Sequence, residues 1–298
     1  MRRSTLLSRI LHVVFFTGLN PALTPLGAVA ITDATYEARL HFKIVTSTAT
    51  YFFDRGGGGL SRMIDRDGHD WIAFHKDPPI TAPSPAFTAS AARGIPNSVF
   101  KLDDGGASHP GFDQCESTML DERTIRVVSK SGKWQWTWVF AEDHAVMTVD
   151  RADPSRTYWF LYEGPIAGSF APARKFWGTN LGGPRFETPD LLKGKAIHET
   201  WRWAYFGDRD VPRVLFVVQT PADDLIDGFS YMGNNRAAGV ESPDGMVVFG
   251  FGRAPAAKPL LNKSGLRFFL GFLEGPIAGE NDHRRTAARI ERLTGGPP

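Results

Sequence analysis

Cysteine is nearly absent. Cys115 is the only one in 298 residues, so neither an intramolecular disulfide nor a CxxC-type metal site can form. The thiol reads as a catalytic nucleophile or as a small apolar strand residue, and the second is the commoner role. A surplus of one charge is also missing, with 34 Lys plus Arg against 32 Asp plus Glu, so the basic excess of a nucleic-acid-binding chain is not there. Beyond the N-terminus no apolar run approaches the roughly 18 residues of a membrane span. G-x-S-x-G, a GxGxxG before a helix, a P-loop and H-E-x-x-H are all lacking, which leaves serine-hydrolase, nucleotide and zincin chemistry without a motif. No metal and no cofactor is expected.

What is present begins with an export pattern. Arg2, Arg3 and Arg9 precede the apolar stretch from Ile10 to Phe16, and Ala28-Val29-Ala30 supplies a small-x-small cleavage site. Gly18, Asn20, Pro21 and Pro25 argue against an anchor helix. Residues 1–30 are therefore expected to be a signal peptide cleaved after Ala30, leaving a periplasmic or extracellular protein. Those residues hold three arginines and no carboxylate, so the remaining chain has 31 basic and 32 acidic side chains, a net of −1.

Period-two alternation dominates the rest. From Tyr36 to Ile44 apolar and charged residues alternate, which predicts one strand with a wet face. Asp67-Gly68 between Leu60–Ile64 and Trp71–Phe74 predicts a hairpin. Similar runs recur every ten to fifteen residues as far as Leu273, about fifteen strands in all, whereas convincing helical periodicity is confined to Asp282–Leu293. A helical turn near Pro189–Leu192 would take Thr188 as its cap. Strands without alternating helices exclude a doubly wound fold and a TIM barrel. The expectation is an all-β chain: a large antiparallel β-sandwich over residues 31–298, one domain with a short C-terminal helical tail.

Two connections interrupt the strands. Residues 76–96 carry Pro78, Pro79, Pro83, Pro85 and Pro96, and the stretch from Gly164 to Ala196 carries Phe176, Trp177, Arg174 and Lys175. The hexapeptide Glu-Gly-Pro-Ile-Ala-Gly occurs at Glu163–Gly168 and again at Glu274–Gly279, each copy following an aromatic strand.

Several segments together carry a family likeness: Tyr51–Asp54 with the glycine run after it, Leu60–Ile72, Arg93–Asn97, His109–Gly111, Tyr158–Gly164, Tyr205–Asp208 and Phe249–Arg253. In these the chain resembles exported bacterial proteins with a galactose-mutarotase-like β-supersandwich, over roughly residues 35–275. The resemblance implies that fold and a carbohydrate context, and its relatives include sugar epimerases, glycoside-hydrolase domains and polysaccharide lyases. An aldose epimerase's paired histidines and catalytic glutamate do not map onto this chain.

The residues with sugar chemistry lie in loops and at strand ends. Arg93 and Asn97 would grip a carboxylate, His109 would serve as base, Tyr162 as acid, and Glu163 as orienting group or base. Arg253 would stabilise developing charge, while Trp177 beside Arg174 would stack on a sugar ring. Each has a plainer reading: Arg93 paired with Asp103 or Asp104, His109 capping a turn, Glu163 bonding backbone amides in the hexapeptide. Asp65, Asp67, His69 and Asp70 read better as a hairpin than as a metal loop, and Trp134, Trp136 and Trp138 better as core than as a sugar platform. The expected partner is a carbohydrate, with an acidic polysaccharide as the specific candidate. The reactions in view are β-elimination on uronate, non-catalytic glycan binding, epimerisation and glycoside hydrolysis.

Overall fold

The computed structural model describes residues 29–76, 89–99, 104–156, 158–234, 236–253 and 261–295. In chain order the first strands are β1 (Ala30–Tyr36), β2 (Arg39–Val45), β3 (Ala49–Asp54) and β4 (Leu60–Asp65), followed by the single turn of helix α1 (Ala89–Ala92). Next come β5 (Cys115–Asp121), β6 (Thr124–Ser129), β7 (Gln135–Phe140), β8 (His144–Arg151), β9 (Phe160–Gly164), β10 (Lys175–Thr179) and β11 (Gly182–Arg185). The remainder are β12 (Ile197–Glu199), β13 (Trp203–Asp208), β14 (Arg213–Thr220), β15 (Asp227–Gly233), β16 (Gly245–Phe251), β17 (Arg267–Glu274) and helix α2 (Glu280–Thr294). The all-β antiparallel sandwich expected from the alternation is what forms.

One nine-stranded sheet runs β11-β10-β13-β14-β17-β8-β7-β6-β5, and two four-stranded sheets, β1-β2-β3-β4 and β12-β15-β16-β9, cover its inner face. The two small sheets are stitched together by Gly94 and Ile95. Gly94 exchanges both backbone hydrogen bonds with Glu163 of β9, at 2.8 and 3.0 Å, and Ile95 does the same with Leu60 of β4, at 2.8 and 3.3 Å. Between the layers lies an aromatic core in which Trp134, Trp136 and Trp138 are fully buried, as the core reading of that strand requires. Phe53 meets Trp138 edge-on at 6.1 Å and Tyr162 meets Phe206 at 5.5 Å, locking small sheets to large. On the opposite face of the large sheet, α2 buries Ile290 against Phe176, Trp203, Tyr205, Phe216 and Leu273.

Several local expectations are corrected. Tyr36–Ile44 is not one strand: Glu37 and Ala38 take φ of 51° and 56°, and this two-residue turn pairs β1 with β2. Left-handed turns are usually marked by Gly or Asn, so the sequence carried no sign of this one. The arm returning from Asp67-Gly68 is not a regular strand, because the Asp70 carboxylate takes the amides of Ile72 and Ala73 at 3.1 and 3.0 Å. The helical turn is Leu191–Lys193, and its cap is Asp190, which accepts from Leu192, rather than Thr188. β10 and β11 lie in the connection read as irregular, where Gly182, Gly183 and Pro184 mask a strand.

Candidate functional site

Two glycine-rich close approaches build the site. Asp54, at the end of β3, accepts from the backbone amides of Gly56, Gly57 and Gly111 at 2.8–3.1 Å and from Arg39 Nε at 2.6 Å. This draws the glycine run against the His109–Gly111 segment so closely that a Cβ at Gly57 would lie 2.3 Å from the His109 carbonyl oxygen. A Cβ at Gly94 would lie 2.6 Å from Pro110 Cδ. Motifs about fifty residues apart thus converge on the outer face of β9.

Alternation along β9 sorts its side chains. Tyr162 points into the core and donates to the Trp71 carbonyl at 2.8 Å, while Glu163 points to the opposite face. There Asn97 Nδ2 donates to Glu163 Oε2 at 2.8 Å. Burial pushes the Glu163 carboxyl above the usual carboxylate range, against the opposing effects of Asn97, Arg253 and His109. Arg253 lies across Gly250 of β16, where a Cβ would meet Arg253 Cβ at 2.8 Å and Cδ at 3.0 Å. Its guanidinium is drawn below the usual arginine range by burial, with Glu163 acting the other way. Arg253 Nε is buried and makes no hydrogen bond among the described residues.

Glu163, Asn97, Arg253 and His109 are therefore brought together. Both ring nitrogens of His109 face backbone carbonyls, Nδ1 that of Pro110 and Nε2 that of Ala92 at 3.0 Å, so neither is aimed at a ligand. Arg93 is buried nearby with its guanidinium committed to the Asp244 carboxylate, the Gly245 carbonyl at 2.8 Å and the Ala73 carbonyl at 3.2 Å. Its partner is Asp244, 151 residues away, rather than Asp104, and Asp103 lies outside the described residues. The fold separates Tyr162 from this cluster and leaves Trp177 and Arg174 elsewhere. Trp177 is 1% exposed between the sheets, with Arg185 over its ring at 4.1 Å and Phe229 against it at 4.4 Å. Arg174 sits just before β10 with Ser169, Asp208 and Asp210.

This fold has counterparts among solved structures. HI1317 superposes with a TM-score of 0.53 at 10% identity, covering 87% of this chain and all of that one. The chain shares its fold with HI1317. YeaD from Salmonella typhimurium matches more loosely, at a TM-score of 0.49 and 10% identity over 87% of this chain and 97% of that one. A galactose mutarotase-like protein from Lactobacillus casei ATCC 334 matches at 0.45 and 11% identity over 79% of this chain and 100% of that one. No protein-family model and no curated protein sequence matches this chain.

Sequence reasoning passed over two residues. One is Gly250, whose missing side chain makes room for Arg253. The other is Asp227, 1% exposed, which accepts from the amides of Gly252 at 2.7 Å and Trp201 at 2.8 Å. Burial raises its carboxyl to about 7. Asp227 falls within Leu225–Tyr231, which the sequence reads as one more strand, so burial is what distinguishes it.

Asp65 accepts from the amides of Asp67 and His69 and from the Trp71 indole at 2.9 Å, so its oxygens hold the turn. Among the described residues no group of three or more His, Cys, Asp or Glu is placed to hold an ion. No helix among them is long and apolar enough to cross a membrane.

Proposed function

We propose that this protein is an exported carbohydrate-binding protein that recognises an acidic glycan on the outer face of β9 and β16. The observation that carries the reading is Arg253, whose aliphatic stem is laid over a glycine and whose buried Nε lacks an acceptor among the described residues. A desolvated cation is costly unless it is satisfied, and a uronate carboxylate offers the forked geometry a guanidinium prefers. Beside it, Glu163 keeps its proton to higher pH than a solvated carboxyl, so it can donate to a sugar oxygen. Asn97 spends its amide N–H on Glu163 and keeps a carbonyl oxygen for a hydroxyl. The resemblance to mutarotase-like supersandwich proteins implies the same class of ligand.

Catalysis by β-elimination is the second reading, favoured by one feature: a protonated Glu163 beside a guanidinium would protonate a leaving oxygen while Arg253 stabilises the enediolate. It lacks an evident base, with His109 turned to carbonyls and Tyr162 on the core face. Binding is therefore the better-supported function. The test is affinity electrophoresis of the purified protein through gels containing acidic or neutral polysaccharides, with ultraviolet absorbance followed for an unsaturated uronate. Arg253→Gln should weaken retardation by acidic glycans roughly tenfold or more. Equal retardation of variant and parent would end the proposal, and appearance of absorbance would transfer it to the lyase reading.

A further inference from the structure

The large sheet carries a second candidate surface, on its far side from Glu163. A cavity of about 490 Å³ opens between α2 and the turn that follows β17, lined on the helix side by Arg285, Arg289 and Arg292 and on the other by Leu273, Pro276 and Ile277. The three arginines recur at spacings of four and three, so they share one stripe of the helix. Arg285 is paired with Asp282, and the Glu274 carboxylate in the cavity wall is held by Arg213 at 2.6 Å. The side chains of Arg289 and Arg292 make no ion pair or hydrogen bond among the described residues. Like charges on successive turns repel, and the repulsion persists unless an anion lies between them.

Across the wall formed by Pro276 and Ile277 a second cavity of about 480 Å³ is lined by Phe186, Arg209 and Ala278. Phe186 is 46% exposed, and Arg209 lies over its ring at 5.1 Å. The second Glu-Gly-Pro-Ile-Ala-Gly copy thus forms a ridge between two hollows, with cations on both sides and an aromatic ring at one end. We propose that this ridge is a binding site for a short stretch of acidic polysaccharide. Its carboxylates would be held by Arg289 and Arg292, and its rings would lie across the exposed Pro276 towards Phe186. The proposal rests on the carbohydrate reading above and adds a second contact surface to it. An anionic membrane is a poorer match: its headgroups would meet the arginines, but Ile277 is 2% exposed, and among the described residues lining the two hollows only Phe186 is an exposed large apolar side chain.

The test uses the full chain with alginate and polygalacturonate as acidic probes and dextran as the neutral one. Phosphatidylglycerol vesicles and duplex DNA serve as unrelated polyanions. The double variant Arg289→Gln/Arg292→Gln keeps helix propensity and removes only exposed charge, so its unfolding midpoint should stay with the parent. We expect it to bind the acidic glycans roughly tenfold or more weakly, with the parent binding vesicles and DNA far less well than glycan. Unchanged glycan affinity in the double variant, no acidic-glycan binding by the parent, or equal parent affinity for vesicles or DNA would each overturn the proposal. Measured in parallel, Arg253→Gln separates the two surfaces. Loss of affinity in Arg253→Gln alone refutes the ridge and keeps the Glu163 site, whereas loss in the double variant alone does the reverse.

Discussion

Asp227 makes a pH dependence that can be worked out before it is measured. Its carboxyl titrates near 7 in the folded chain because it is buried, and near 4 in an unfolded one. Between those values the native state holds a proton that the unfolded state has released. The contribution of Asp227 to stability is therefore greatest below about pH 4, falls as pH rises through the window, and levels off above 7. A difference of about three units at 1.36 kcal/mol each comes to about 4 kcal/mol, a large share of the 5–15 kcal/mol typical of a folded domain. Asp227→Asn removes this titration. It also gives up one of the two backbone hydrogen bonds, those from Gly252 and Trp201, at roughly 1 kcal/mol. The variant should be somewhat less stable than the parent at pH 4.5 and more stable at pH 8. The gap between them should move by roughly 3–4 kcal/mol over that interval. Urea unfolding of both proteins at matched pH isolates this residue, because every other titration is common to the pair. A gap that stays constant with pH, or moves the other way, would refute the burial argument.

Three further outcomes are expected. Gly57→Ala drives a Cβ to 2.3 Å from a backbone oxygen that cannot swing aside, so it should cost about 1–3 kcal/mol in denaturant unfolding. Gly250→Ala would place a Cβ 2.1 Å from Leu161 Cδ2 and 2.8 Å from Arg253 Cβ, and should lower acidic-glycan affinity by displacing the arginine. Because the small sheets and the large one share one aromatic core, thermal unfolding followed by tryptophan fluorescence and by far-ultraviolet circular dichroism should give a single coincident transition.

The strands were legible wherever alternation was carried by large side chains, as in Trp134–Phe140, and illegible where glycine and proline formed a strand, as in β11. The turn at Glu37–Ala38 left no mark because neither residue is a usual left-handed turn former. Of the site, the convergence of the Arg93 and His109 segments followed from motifs that sequence reading had singled out. Their orientation did not follow, since it depends on the Asp54 hub and on contacts such as Arg93 with Asp244 across 151 positions. Tyr162 and Glu163 were expected in one site, and the fold separates them because neighbours on a strand face opposite ways.

The place of β17 in the large sheet has a consequence for how the chain is made. It is the last strand among the described residues, yet it lies in the middle of the sheet, paired with β14 on one side and β8 on the other. Until residues 267–274 have left the ribosome, the two halves of that sheet have no hydrogen bonds to each other, and β8 and β14 both present open edges. Such edges pair readily with other chains, and closing the β8 edge requires contacts across more than a hundred residues, which is slow. A nascent chain stalled or cut short before Arg267 therefore exposes two sticky borders at once, and holding factors would be needed during synthesis until the final strand slides in as a keystone.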